Sequence, residues 1–373
     1  MYELLQQQVA EPQLLKDAKD ALASFVDWDK LKHLPPAERR RVQKERQLLN
    51  AMLQHAPNQT SMAKAILVHD EDQNLRCLAQ NAWHFYLLHR AAGGKTPPVN
   101  TFSSGTSSPL EATSESSASQ NTSALASAKE GEKKGEKKNA SRDQKVVQEC
   151  YNRDRYTCRL TARRSVQFAD TEGDKGASYT EAAHIIPFAL KSLDPEEKDL
   201  FATMMTYFAP HIPLSLDELD VLENTIVLSA IAHRAFGEFR WVVDCAVNDD
   251  EKVTYTVHHL KSELQELNRV ILDKEGIRFE STEGAPLLID EAPTLPPPSP
   301  IMFYLHAALA RVLHASGRAE ELQRVVRDAG DDELFAQQAE IDKADIEVVQ
   351  QAFKIMDGEG WVRYVGSGSE DWE

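Results

Sequence analysis

Hydrophobic positions change their period along this chain, and the changes divide it. Leu14, Leu15, Ala18, Ala21, Leu22 and Phe25 recur every three or four residues, which predicts a helix. Pro35-Pro36 then opens a second helix that runs to about Gln54. Leu75, Leu78, Ala82, Phe85 and Leu88 predict a third, over Asp72 to Arg90, closed by Gly93-Gly94 and Pro97-Pro98. Periodicity then stops. Residues 96–142 are rich in serine, hold Phe102 as their single aromatic, and end in a Glu-Lys-Lys repeat. Such a stretch buries too little apolar surface to offset its chain entropy, so disorder is expected.

Pattern returns at residue 143 in a different form. A short helix is predicted from about Asp143 to Arg153, then a polar stretch over Asp170 to Ser178 between short strands. Tyr179 to Ile186 reads as a strand stopped by Pro187. One or two helices are expected over 188–220, behind an acidic Asp194-Pro-Glu-Glu start. Phe239 to Val243 and Val253 to Val257 alternate like paired strands around Asn248-Asp-Asp250. Residues 263–373 read as helical again, after a stiff connector from Pro296 to Pro300. Helices are predicted at Met302 to Ala315, Ala319 to Arg327 and Ile346 to Ile355. The divisions expected are thus 1–95, 96–142, 143–262 and 263–373, in an α+β chain whose ends are helical.

Composition changes this picture in three places. Cys77, Cys150, Cys158 and Cys245 are scattered without a C-x-x-C pair, which speaks against a zinc knuckle or disulfide framework and for a reducing intracellular compartment, nucleus and cytoplasm undistinguished. The N-terminal residues lack the pattern of a secretory leader, and no apolar run is long enough to cross a membrane. The net charge is −17, most of it beyond residue 262, so binding to a polyanion must rest on local patches and bound cations. Two basic groups qualify: Arg39-Arg40-Arg41 with Lys44 and Arg46, and Arg153, Arg155, Arg159, Arg163 and Arg164. Each reads either as a solvated face or as a contact to phosphate, and the first also as a nuclear address.

The candidate chemistry lies in Glu181-Ala-Ala-His184-Ile-Ile-Pro187 and in Asn224 through His233 to Phe236. Each stretch puts a histidine at the edge of an apolar run, and an asparagine opens the second. Phosphodiester hydrolysis needs a base, a cation for the developing phosphate charge, and a group that holds the base in position. Histidine titrates near neutrality and also binds metals, while an asparagine amide ties backbone together. Spacing alone allows a metal cluster or an acid–base cluster. The bland alternative is a pair of core or capping histidines.

The chain from Cys150 to about Asp244 resembles the HNH nuclease superfamily, and is similar to HNH-containing proteins of filamentous fungi. The resemblance is carried by Arg153-Asp154, Cys158, Thr161, Ala183-His184-Ile185 with Pro187, Asn224 with Ile226 and Leu228, and His233 with Phe236. It implies a ββα-metal core with inserted helices and one divalent metal, Mg²⁺ first, with Mn²⁺, Ni²⁺ or Zn²⁺ as alternatives. It also implies a DNA endonuclease in which His184 is the general base, Asn224 orients the hairpin and base, and His233 is a metal ligand. Two departures stand out. Ala183 fills a position where many HNH enzymes carry a second metal ligand, and Thr225 stands where many have glycine. Glu181 is the candidate substitute ligand, on the strand face of Ala183 and opposite to His184; Asp154 and Glu238 are further candidates. Ala183 also motivates a second expectation, a catalytically degenerate scaffold acting as a binding or regulatory protein. The N-terminal helices are a candidate docking region for a protein partner.

Overall fold

The computed structural model describes residues 5–25, 31–93, 95–96, 143–168, 176–248, 252–261, 267–273, 276–289, 295–329, 343–358 and 362–363. Residues 97–142 of the expected disordered linker, the Asp170–Lys175 part of the polar stretch, the Asp249–Asp250 turn and the C-terminal tail lie outside the described residues.

The first helices are α1 (Pro12–Phe25), α2 (Pro36–His55), α3 (Gln59–Val68) and α4 (Asp72–Gly93). Proline at the start of α2 costs no hydrogen bond, because the first-turn N–H groups have no partner within the helix. Asn58 caps α3, a helix beyond those that the apolar periodicity predicts, by accepting from Ser61 N–H at 2.8 Å. A two-residue strand, β1 (Lys95–Thr96), follows.

Next come α5 (Gln144–Arg153) and β2 (Thr180–His184), then α6 (Pro195–Phe208), which a reciprocal capping box of Asp194 and Glu197 starts. After β3 (Thr225–Ser229) comes α7 (Ala230–Gly237), capped by the Ser229 side chain. Strands β4 (Trp241–Val247) and β5 (Val253–His259) form an antiparallel pair, as their alternation predicts.

Residues 263–373 are not purely helical: β6 (Arg269–Asp273) and β7 (Gly276–Glu280) form a hairpin. The reason is visible in the β-branched and aromatic residues Val270, Ile271, Ile277 and Phe279, which favour extended backbone. Then α8 (Pro300–Ala315), α9 (Ala319–Asp328) and α10 (Lys343–Gly358) follow, with β8 (Val362–Arg363) paired to β1. Gly317, at φ 70°, supplies the left-handed residue that ends α8.

Among the described residues two large apolar cores and one small cluster result. Helices α1–α4 share the larger one with the inserted α6 and with α8–α10, so the two ends of the chain pack together across the linker. The basic run on α2 is partly paired with acids in this layer: Arg41 with Glu45 at 3.3 Å and Lys44 with Glu321 at 2.9 Å. The second core joins Ala183, Ile226, Leu228, Phe236, Trp241, Val257 and Phe303. Helix α8 is the seam, giving Phe303 to the second core and Leu305, Leu309 and Val312 to the first.

Candidate active site

Two antiparallel strands and one helix carry the candidate residues. In the β2–β3 register Thr180 faces Ser229, Ala182 faces Val227 and His184 faces Thr225. All five residues of β3 are buried, because α7 covers one face and α5 the other; Ile226 and Leu228 enter the second core while Val227 packs with Cys150, Ala182 and Leu222. A strand covered on both sides reads as an unbroken apolar run rather than an alternating one.

Asn224 is completely buried just before β3. Its Oδ1 accepts from Ile186 N–H at 2.9 Å. Its Nδ2 donates to Ile186 O at 2.9 Å and to Leu219 O at 2.8 Å. The pairing also fixes the amide orientation, since only the oxygen accepts and only the nitrogen donates. One side chain thereby joins the segment after β2 to the segment before β3.

His184 ends β2, with its side chain 9% exposed. Its Nε2 lies 3.1 Å from Asp220 Oδ1, and its ring stacks on Phe188 at 5.2 Å between centroids. Lys191 Nζ in turn lies 3.6 Å from the Phe188 ring centre. Asp220 Oδ2 accepts from the backbone N–H of Asp143, the cap of α5, at 2.7 Å.

His233, on α7, pairs with Glu181 of β2: Nδ1 lies 2.6 Å from Oε2. Both side chains reach solvent, at 20% and 30% exposure. Glu181 and His184 are three residues apart on one strand, hence on opposite faces and roughly 10 Å apart along it. The candidate residues are therefore brought together as two pairs, His184–Asp220 and His233–Glu181, joined by one hairpin. Among the described residues no three His, Cys, Asp or Glu gather into a metal cage.

The residues present fit a divalent ion only in an open form. Ala183 is 1% exposed inside the apolar core and offers no ligand. The Glu181 carboxylate holds the hydrogen of His233 on Nδ1, which leaves the Nε2 lone pair as a donor. One imidazole and one carboxylate suit a hard cation that keeps most of its waters and takes the rest of its oxygens from phosphate.

Several candidates have other duties. Arg153 is buried: it donates to Leu222 O at 2.9 Å and Thr225 O at 2.6 Å, and pairs with Asp154 at 2.8 Å. Arg159, also buried, donates to Arg153 O at 2.8 Å. The phosphate-contact reading of these two arginines is corrected, since both turn inward, Arg153 to brace the start of β3 and Arg159 to hold the backbone of Arg153. Asp154 accepts from Val227 N–H at 2.7 Å, and Glu238 pairs with Arg234 and Arg240, so neither carboxylate is at the site. Arg155 and Arg164 are exposed and Arg163 half-buried. Asp220 is the site residue that sequence reasoning missed.

A family model described as HNH endonuclease, HNH_2, matches residues 158–244. The matched stretch runs through β2, β3 and α7 and includes His184, Asp220, Asn224 and His233. It supports the HNH superfamily for this part of the chain and suggests a nuclease-type function. No curated protein and no solved structure matches the chain. No helix among the described residues is long and apolar enough to cross a membrane.

Proposed function

We propose that this chain is a metal-dependent endonuclease that hydrolyses DNA phosphodiester bonds, with β2, β3 and α7 as its ββα-metal core. The observation that carries the reading is His184: a largely buried imidazole at the end of β2, held by a carboxylate, within a stretch that matches the HNH endonuclease model. His184 takes the proton of the attacking water. Asn224 holds the ends of the two strands together, so that the base does not drift during the reaction. His233 and Glu181 are the residues that would hold a divalent ion, Mg²⁺ first, whose charge offsets that developing on the phosphate. Arg155, Arg163 and Arg164 remain the candidates for phosphate contact.

A second reading, a binding or regulatory protein on an HNH scaffold without catalysis, is favoured by buried Ala183 and by the two pairs lying on opposite faces of β2. One experiment separates the two. Supercoiled plasmid is incubated with the full chain and Mg²⁺, Mn²⁺, Ni²⁺ or Zn²⁺. The nuclease reading expects metal-dependent nicking that His184→Ala abolishes; nicking that is absent, or indifferent to the substitution, overturns it.

A further inference from the structure

We infer that Asp220 is the positioning residue of His184, and that it sets the ring so that Nδ1, not Nε2, is the nitrogen that accepts the proton from water. The inference rests on the nuclease reading for its chemistry, and on the hydrogen-bond pattern for its geometry.

Both carboxylate oxygens of Asp220 are acceptors. Oδ2 takes the N–H of Asp143 at 2.7 Å, a backbone group that can only donate. Oδ1 lies 3.1 Å from His184 Nε2. An ionised carboxylate has no proton to give, so Nε2 carries the hydrogen and the lone pair of the neutral ring sits on Nδ1. The carboxylate also favours the imidazolium that forms when Nδ1 takes a proton, without itself being protonated. The proton passes from water to Nδ1, the resulting hydroxide forms the new P–O bond, and the P–O bond to the leaving sugar oxygen breaks, that oxygen keeping the electron pair and taking a proton from solvent water.

Asp220 is itself held from two sides. The backbone of Asp143 anchors Oδ2 from the cap of α5. The amide of Asn224 takes Leu219 O, one residue before Asp220, and both backbone groups of Ile186, two residues after His184. Asn224 thus sets the spacing of the pair as well as the ends of the strands. Phe188 stacked on the imidazole restrains rotation of its ring plane.

The test reads the tautomer directly. In ¹⁵N-histidine-labelled full chain, the His184 resonances, assigned by their loss in H184Q, should report hydrogen on Nε2 and none on Nδ1 at a pH where the ring is neutral. Asp220→Ala should mix the tautomers and lower the cleavage kcat on the order of 100-fold, with KM nearly unchanged. Asp220→Asn keeps a single acceptor oxygen, for which Asp143 N–H and His184 Nε2–H compete, so its tautomer purity and kcat should fall between those of wild type and Asp220→Ala, a graded result that a mere loss of folding would not give. Hydrogen on Nδ1 in the wild type, or an Asp220→Ala chain with unaltered tautomer and turnover, overturns the inference. A wild-type chain that shows the tautomer and loses it in Asp220→Ala, yet cleaves nothing, contradicts the nuclease reading alone and leaves Asp220 as the group that orients His184.

Discussion

Asn224 and Ile186 grip each other twice: Ile186 N–H donates to the side-chain oxygen and the side-chain nitrogen donates back to Ile186 O, both at 2.9 Å. The two residues are far apart in sequence and entirely buried, so no water replaces either bond. Asn224→Ala leaves the N–H and carbonyl of Ile186 and the carbonyl of Leu219 without this partner. The expected loss is about 3 kcal/mol or more, read as a lower urea midpoint with unchanged m-value. Asn224→Asp is expected to be no better, because a carboxylate cannot donate to the two carbonyls.

Arg153 is expected to matter for stability. Its guanidinium is enclosed by Leu222 O, Thr225 O, Pro296 O and the Asp154 carboxylate. Arg153→Ala leaves Asp154 buried with one less cation, at a cost of roughly 3–5 kcal/mol by thermal or urea unfolding. Arg153→Lys is expected to recover only a minor part, since a single ammonium cannot match the planar fork. An Arg153→Ala chain as stable as wild type would show that the residue is not the brace of β3.

Acid should weaken the junction between the two cores. His306 stacks on Phe236 of α7 at 3.7 Å, and His89 lies 5.5 Å from Phe239. Burial pushes the pKa of each ring down to about 3. Folded, both rings stay neutral; unfolded, each takes a proton near pH 6.5. Stability therefore falls as pH drops below about 6.5 and levels off only near pH 3, by up to roughly 1.4 kcal/mol per pH unit for each ring. Urea midpoints at pH 7 and 5 measure the slope, and His306→Phe should reduce it.

Metal binding should follow the His233–Glu181 pair. Calorimetric titration with Mn²⁺ is expected to show one site in the wild type. His233→Ala should abolish it and Glu181→Gln weaken it about 10–100-fold, as expected for loss of a ligand or of the group that orients one. Stoichiometric binding that survives both substitutions would move the metal site elsewhere in the chain.

The hairpin residues were legible in the sequence because each sits where an apolar run ends. His184 precedes Ile185-Ile186-Pro187, Asn224 opens the run to Ala232, and His233 follows it. Asp220 was not legible: it is 36 residues from His184, among Asp217, Glu218 and Glu223, and looks like any solvated acid. Its only sequence signal is its place four residues before Asn224. Arg153 and Arg159 misled for the complementary reason. Arg153 is buried against carbonyls that converge from residues 222, 225 and 296, and Arg159 in turn against the backbone of Arg153, which no local pattern records. The β6–β7 hairpin escaped notice because each strand is only five residues long, too short for its period to stand apart from the flanking helical readings. The packing of α2 and α4 against α8–α10 likewise needs three dimensions, since the linker separates them in sequence.

The most direct test of the account is single-turnover cleavage of an end-labelled DNA duplex by wild type and His184→Ala side by side, with Mn²⁺ or Mg²⁺ present and both chains shown to be folded. The account predicts metal-dependent cleavage by the wild type and a loss of 100-fold or more in His184→Ala, on the order expected for removing a general base. Equal rates in the two chains, or no cleavage by either, would contradict it.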